Sequence, residues 1–292
     1  MSIITITDSS YSNGRQIAKS AAKRLNYEYV DSENILPLVS KEFGVSESKL
    51  VRVLKDTPSN VGMFSKAKPE HIIFIETLIT EYLLKNNIVY YGVVGLPLNQ
   101  KVSHVLKVHI IANLESRIKN IMKLKLDNIS QDKASKAVTK EDEQLKKWVE
   151  AVYNIDVADP NLYDLVINIG HIKGDDVEDA LETIISTVEH KKYQPMTYSL
   201  RCMKNVAMSC RVRAILADID PKMQVKSDEG TIYIYTKAVK KKAQVKVLEM
   251  KQKVMRLFPM DSKQQEIYFK CFILIFVEEI KNERKIRDIV TG

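Results

Sequence analysis

The chain has 292 residues, 45% hydrophobic and 28% charged, a composition that suits a globular protein with room for two domains, each with its own core. No apolar run approaches the roughly 20 residues that span a bilayer, so no membrane span is expected. Three cysteines (Cys202, Cys210, Cys271), an odd number without metal-ligand spacing, argue against a disulfide scaffold and for a reducing cytoplasm.

The net charge of +8 is unevenly spread. Residues 1–190 hold 23 Lys and Arg against 26 Asp and Glu; residues 191–292 hold 22 against 11. This shift, with the polar, proline-containing stretch Lys191-Lys192-Tyr-Gln-Pro195, places a domain boundary there and predicts domains of 1–193 and 194–292.

In chain order, Ser2–Thr7 is a short β-branched strand with no basic leader or cleavage site, so no secretory signal is expected. Asn13 to Leu25 follows as a helix with Ile17, Ala18, Ala21, Ala22 and Leu25 on one stripe. Tyr27–Val30 is a second strand, and Asp31-Ser-Glu-Asn34 starts a helical stretch to Lys55 that breaks near Gly44. Thr57–Lys68 is expected to be a loop and Pro69–Asn86 a helix. Ile88–Val94 and Val105–Ala112 are strands, and two charged helices follow, Leu114–Leu126 and Gln131–Tyr153. Tyr163–Ile169 is an apolar strand, and Asp175–His190 is a helix with acids at its N-terminus, where the dipole favours them. Five strands alternating with helices predict an α/β fold, a doubly wound parallel sheet.

Beyond the boundary the pattern is a helix (Ser199–Ala217), two strands around Gly230 (Met223–Lys226 and Thr231–Lys237) and a helix (Lys240–Leu257). An apolar segment (Ile267–Val277) and a charged helix (Glu278–Asp288) complete a small α+β domain.

Strand, loop and helix at residues 2–25 form the geometry that cradles phosphate, with backbone N–H groups and the helix's positive end holding the anion. The loop reads Asp8-Ser-Ser-Tyr-Ser-Asn-Gly-Arg15-Gln16. Laid on GxxxxGK[ST], Ser9 stands at the first glycine, Gly14 fits, Arg15 replaces the lysine, and Gln16 replaces the Mg²⁺-binding hydroxyl. The candidate cofactor-binding residues are Ser12, Asn13, Gly14, Arg15 and Gln16. On pattern alone an ordinary polar turn is an equal reading.

The ordered set ITIT-x6-GR-x-IA, LNYEYVDSENI, HIIANLESRI, the charged helix pair and DPNLYDLVINIG resembles the cytidylate kinase-like family across residues 1–190. The resemblance implies a P-loop fold with a helical lid, and transfer of the ATP γ-phosphoryl to a nucleoside monophosphate, with ATP and Mg²⁺ as cofactors. It implies that Gly14 and Arg15 end the phosphate loop, Asp31 lies on the acceptor side, Arg117 opens the lid helices and Asp142 is an acid of the second lid helix. Arg15 and Arg117 are then candidate catalytic residues, and Asp31 and Asp142 candidate substrate-binding residues. Each has a structural alternative: Asp31 as an N-cap, Arg117 as a partner of Glu115 or Asp142, and Asp142 as part of a solvated run.

The departures from the family are charge losses. Family members usually have arginine where this chain has Asp8, glycines at the places of Tyr11 and Asn13, arginine at Val93 and a lid arginine at Leu145. Phosphoryl transfer depends on neutralising a highly negative transition state, and a single arginine finger is worth roughly 10³–10⁵ in rate. The expectation is a degenerate kinase that binds a nucleotide or phosphometabolite as a regulatory or adaptor protein. An active kinase for CMP or a related acceptor is the alternative.

In the second domain, Val212–Leu216, Met223-Gln-Val225, Gly230-Thr-Ile-Tyr-Ile234 and Val245–Leu248 faintly resemble the BON module, which implies phospholipid or protein association. Lys240-Lys241-Lys242 with Lys237 is a candidate anion-binding cluster, which makes an anionic polymer or membrane surface a third possible target. A solvated lysine face is the plainer reading of the cluster, and absence of a GxxG loop weakens an RNA-binding one. The histidines, His71, His104, His109, His171 and His190, are scattered, so no metal site is expected. His109 reads as an interior residue and Trp148 as helix packing.

Overall fold

The computed structural model describes residues 3–55, 70–99, 102–124, 129–170, 176–190, 197–228, 231–235 and 274–276. They pack as two compact units, Met1–Lys204 and Asn205–Gly292.

The first unit is built on five parallel strands in the order β2-β3-β1-β4-β5, with β1 Ile3–Asp8, β2 Glu28–Val30, β3 Ile88–Tyr91, β4 Val105–Ala112 and β5 Leu165–Ile169. β1 is central, and its β-branched residues are buried on both faces, as a strand covered by helices on either side requires. Ile4 and Ile6 face α1 (Gly14–Leu25) and α7 (Asp176–His190) in a core that also takes Val89, Leu106, Val108, Ile110, Ile167, Ile169, Ala180 and Ile184. On the opposite face Ile3, Thr5 and Thr7 are equally buried. Because β1 has β3 on one side and β4 on the other, the crossovers leave in opposite directions, and a crevice opens at its C-terminal end, the place where doubly wound sheets take ligands.

The helices follow the sequence pattern closely. α1 buries Ile17, Ala18, Ala21 and Ala22 and stops at Asn26, a left-handed cap whose N–H bonds back to Lys23. α2 (Ser32–Phe43) starts on a capping box: Asp31 Oδ1 accepts from the amides of Glu33 and Asn34, and Asn34 Oδ1 accepts from the amide of Asp31. Left-handed Gly44 ends it, and α3 (Glu47–Lys55) follows, the break expected there. α4 (Glu70–Leu83) is buried almost all round. α5 (Leu114–Leu124) and α6 (Gln131–Tyr153) form the lid hairpin, joined by a cluster of Ile118, Ile121, Ala134 and Val138.

Trp148 is packing, as its surroundings in sequence suggested: it is buried, and its indole N–H donates to the Val53 carbonyl at 2.8 Å. His109 is an interior residue, 2.8 Å from Thr7 Oγ1 and stacked on Tyr163, and burial lowers its pKa to about 4. Short 3₁₀ turns at Leu96–Asn99 and Pro160–Leu162 have no counterpart in the sequence reading, because three or four residues carry no usable periodicity.

In the second unit α8 (Thr197–Leu216) supplies Val212 and Leu216 to a core with Met223, Ile232 and Ile234. β6 (Gln224–Asp228) pairs antiparallel with β7 (Thr231–Tyr235), and β7 pairs parallel with β8 (Leu274–Phe276). The apolar run 272–277 thus contributes a strand. The expected 57–68 loop, the 240–257 and 278–288 helices and Lys237, Lys240, Lys241 and Lys242 lie outside the described residues. No helix among the described residues is long and apolar enough to cross a membrane.

Asp31 is buried and serves both the α2 cap and Arg15, so Asp31→Ala should cost about 1–2 kcal/mol, the upper range of a lost cap. Thermal unfolding should show a fall of several degrees; an unchanged midpoint would mean the cap is redundant.

Candidate functional site

The crevice at the end of β1 is lined by the loop Asp8–Gly14. Its backbone departs from ordinary turns at Tyr11 (φ 64°) and Asn13 (φ 61°), both in the left-handed region. Asn13 tolerates that region, whereas a bulky tyrosine there is strained by roughly 1–3 kcal/mol and needs outside support. Tyr11 finds it on the lid. Its ring packs against the Ile118–Val138 cluster, its hydroxyl donates to Glu141 Oε1 at 2.5 Å, and its carbonyl accepts from Asn120 Nδ2 at 2.9 Å. Burial and the Glu141 carboxylate push its phenol up to about 12. Tyr11 therefore leans away onto α5 and α6 and does not plug the loop.

What fills the loop is Asp8. Its Oδ2 accepts the Gly14 amide at 3.1 Å, and its Oδ1 accepts the Tyr91 hydroxyl at 2.8 Å. Ser12 Oγ is 3.2 Å from Oδ2, but its single proton has a nearer acceptor in the Ser9 carbonyl at 2.7 Å. Asn13 makes no side-chain cap to α1, so Asp8 serves as the cap from six residues upstream. Burial dominates its titration and raises the carboxyl to about 6, with nearby Asp142 adding to the rise; the bonds from Tyr91 and Gly14 hold it from going higher. Gly14 is required by this arrangement: a Cβ there would lie 2.5 Å from Asp8 Cβ and 2.6 Å from its carboxyl.

The cations left in the loop are also engaged. Arg15 is 3.2 Å from Asp31 and 2.8 Å from Glu33, with its guanidinium 5.9 Å from the Tyr91 ring centre. Tyr29 donates at 2.8 Å to Asp31 Oδ2, the same oxygen that Arg15 faces. Arg117, nine-tenths buried, uses one terminal nitrogen for both oxygens of Asp142 (3.0 and 2.7 Å) and the Ser10 carbonyl (3.3 Å), and its Nε is buried without a partner. Asp142 also accepts the Ser10 amide at 3.2 Å.

Of the predicted residues, Arg117 and Asp142 come together on the loop, and Arg15 comes together with Asp31. Ser12 is buried inside the loop, and Gln16 is exposed. Asp142 is thus more than part of a solvated run. Asp31 combines the cap reading with the site reading. The residues that sequence reasoning missed are Tyr91, Asn120, Glu33 and Glu141 as partners, and Asp8 as occupant. An acid at the end of the first strand, six residues before a helix-opening glycine, was the signal available. Beside the loop a cavity of about 180 Å³ is lined by Asn13, Ser116, Lys119, Asn120, Lys123 and Gly170, among others.

Central parallel strands, a loop at the first strand's end leading into α1, and a helical hairpin resting on that loop define a P-loop phosphotransferase fold. A model of the cytidylate kinase-like family matches residues 3–171, and the chain belongs to that family. It is 25% identical over 189 residues to the cytidylate kinase of Sulfurisphaera tokodaii, covering 63% of this chain and 95% of that one. The cytidylate kinase of Methanocaldococcus jannaschii is 28% identical over 195 residues, 65% of this chain and 99% of its own. A solved structure of an uncharacterized protein from Eubacterium ventriosum shares the fold with a TM-score of 0.50 at 19% identity, covering 65% of this chain and 98% of that chain.

ATP and Mg²⁺, the cofactors the family resemblance implies, fit these residues poorly. The amide that opens α1 already holds a carboxylate, Arg15 is tied to two acids, and the residue at the metal-binding hydroxyl position is exposed Gln16. No group of three or more His, Cys, Asp or Glu side chains among the described residues is placed to hold a metal. The buried Nε of Arg117, without a partner, is a donor that suits an anion.

The titration of Asp8 has a defined sign. Its native value of about 6 exceeds the unfolded 3.8, so the native state binds more protons between them, and Asp8 makes stability fall as pH rises from about 4 to about 6. Asp8→Asn should remove that slope, leaving the variant more stable than the wild type at pH 7 by about 1–3 kcal/mol. Denaturation of both proteins across pH 4–7 measures the difference, and parallel curves would refute the assignment. Gly14→Ala should cost about 1–3 kcal/mol, and distinctly less in an Asp8→Gly background, because the collision is with Asp8.

Proposed function

We propose that this protein is a degenerate member of its family that has given up efficient phosphoryl transfer and works as a nucleotide- or phosphometabolite-binding regulatory or adaptor protein. The observation that carries the reading is the Asp8 carboxylate, 3.1 Å from the Gly14 amide, standing where a phosphate oxygen would be held. A phosphoryl-transfer site must be electropositive around the transferring group. Here Asp8, Asp31, Glu33, Glu141 and Asp142 contact the loop or its cations, Arg15 and Arg117. Two guanidiniums, each paired with carboxylates, leave little positive field for a polyphosphate.

Ligand binding retains a physical basis. The cavity beside Asn13 brings Lys123 and Lys119, the latter paired with Glu115, to one flank of the loop, a setting for a single anionic group rather than a whole nucleotide. The region from residue 194 onward, with its excess of lysine and arginine, is proposed as the interaction module. The cytidylate kinases that this chain resembles favour a second reading, an active kinase for CMP or a related acceptor.

A coupled assay with ATP, Mg²⁺ and each common nucleoside monophosphate separates the two. The expected rate is at least roughly 10³ below the 1–100 s⁻¹ ordinary for kinases. Turnover inside that range, abolished by Arg15→Ala, would establish the active enzyme and overturn the proposal.

A further inference from the structure

We propose that Asp8 is a built-in occupant of the phosphate loop, an intramolecular carboxylate that holds the anion position shut against external phosphate until it is displaced. The idea rests on the reading of residues 8–16 as a ligand-facing loop, and it explains how that loop is regulated.

Three observations carry it. Asp8 accepts the amide that opens α1, which makes it the helix's anion, as a bound phosphate would be. The fit is close, since a Cβ on Gly14 would overlap the Asp8 side chain, and the amide's proton is already directed at Asp8 Oδ2. Arg117, whose terminal nitrogen reaches the Ser10 carbonyl of the loop, has a buried Nε without a partner, although Arg117 and Ser10 are otherwise bound to Asp142. The lid is shut over the same loop by Asn120 on the Tyr11 carbonyl and by Asp142 on the Ser10 amide, so the loop and lid stand closed around an internal anion.

The groups facing Asp8 are Tyr91 from β3, Ser12 and Gly14 from the loop and α1, and Asp142 from α6. Tyr91 and Asp142 bear on its release in opposite ways. The tyrosine hydroxyl restrains the carboxylate, while the second carboxylate repels it.

The probe is sulfate, which stays a dianion from pH 5 to 7.5, followed on the full-length protein through the backbone amide resonances of Ser10 and Gly14. In Asp8→Ala, saturable shifts of those resonances should appear at a sulfate concentration at least roughly tenfold below any seen in the wild type at pH 7.5. Equal affinity in the wild type overturns the proposal, and so does a folded Asp8→Ala protein with no shift. If Asp8→Ala does not fold, the wild type decides. It should bind sulfate roughly tenfold more tightly at pH 5 than at pH 7.5, and Asp8→Asn should lose that difference. A pH response that survives in Asp8→Asn sinks the idea. The kinase assay is separate: sulfate entry without turnover leaves both proposals standing, and failure of sulfate to enter Asp8→Ala removes only this one.

Discussion

The Asp8 carboxylate on the Gly14 amide is the contact around which the rest of the first unit is arranged. A helix N-terminus pointing into a buried crevice leaves amides that must be bonded, and a carboxylate is the best protein-borne partner for them. Once it is there, the consequences spread outward. Gly14 must lack a side chain, Tyr91 must present its hydroxyl, and a carboxyl must accept burial that raises its titration to about 6. The arrangement is costly at neutral pH, since part of the native stability is spent on keeping an anion away from water.

The lid makes a parallel accommodation. Strain at Tyr11 is tolerable because the ring is absorbed into the α5–α6 cluster and the carbonyl is held by Asn120. A glycine at this place would leave the loop free of the hairpin; the tyrosine fastens the two together. Asp142 and Arg117 complete the fastening, and the same pair that the family resemblance assigned to the reaction acts here as a clasp on Ser10.

Much of this was legible before any coordinates. Strand and helix order followed from β-branched runs and from the Ile17–Leu25 stripe, and the Gly44 break and the Asp31 cap were readable from single residues. The sheet order was not, because periodicity says which face is buried but not which strand lies beside which. Within the site, the departures at Asp8, Tyr11 and Asn13 were visible as lost charge and lost glycine. That Asp8 turns inward was not visible, since nothing in the loop sequence brings Tyr91 or Gly14 within bonding distance of it. Arg15 showed the same gap: its type and position pointed to phosphate, and only the fold places Asp31 and Glu33 against it.

On the proposed reading of a degenerate kinase, the combination bears on how catalysis would be given up. Loss of catalysis by random drift would scatter neutral or small residues through the loop and leave a loose, solvated turn. Here each departure from the family pattern is matched by a bond: the acid at position 8 reaches an amide and a phenol, the aromatic at 11 reaches the lid, and the arginine at 15 reaches two carboxylates. Such mutual satisfaction among residues from β1, β3, α1, α2, α5 and α6 is what a fold under continued selection for a closed shape would retain. A kinase-family fold that carries its own anion at the loop keeps loop and lid bonded together without an external ligand, and only displacement of that anion would open the position.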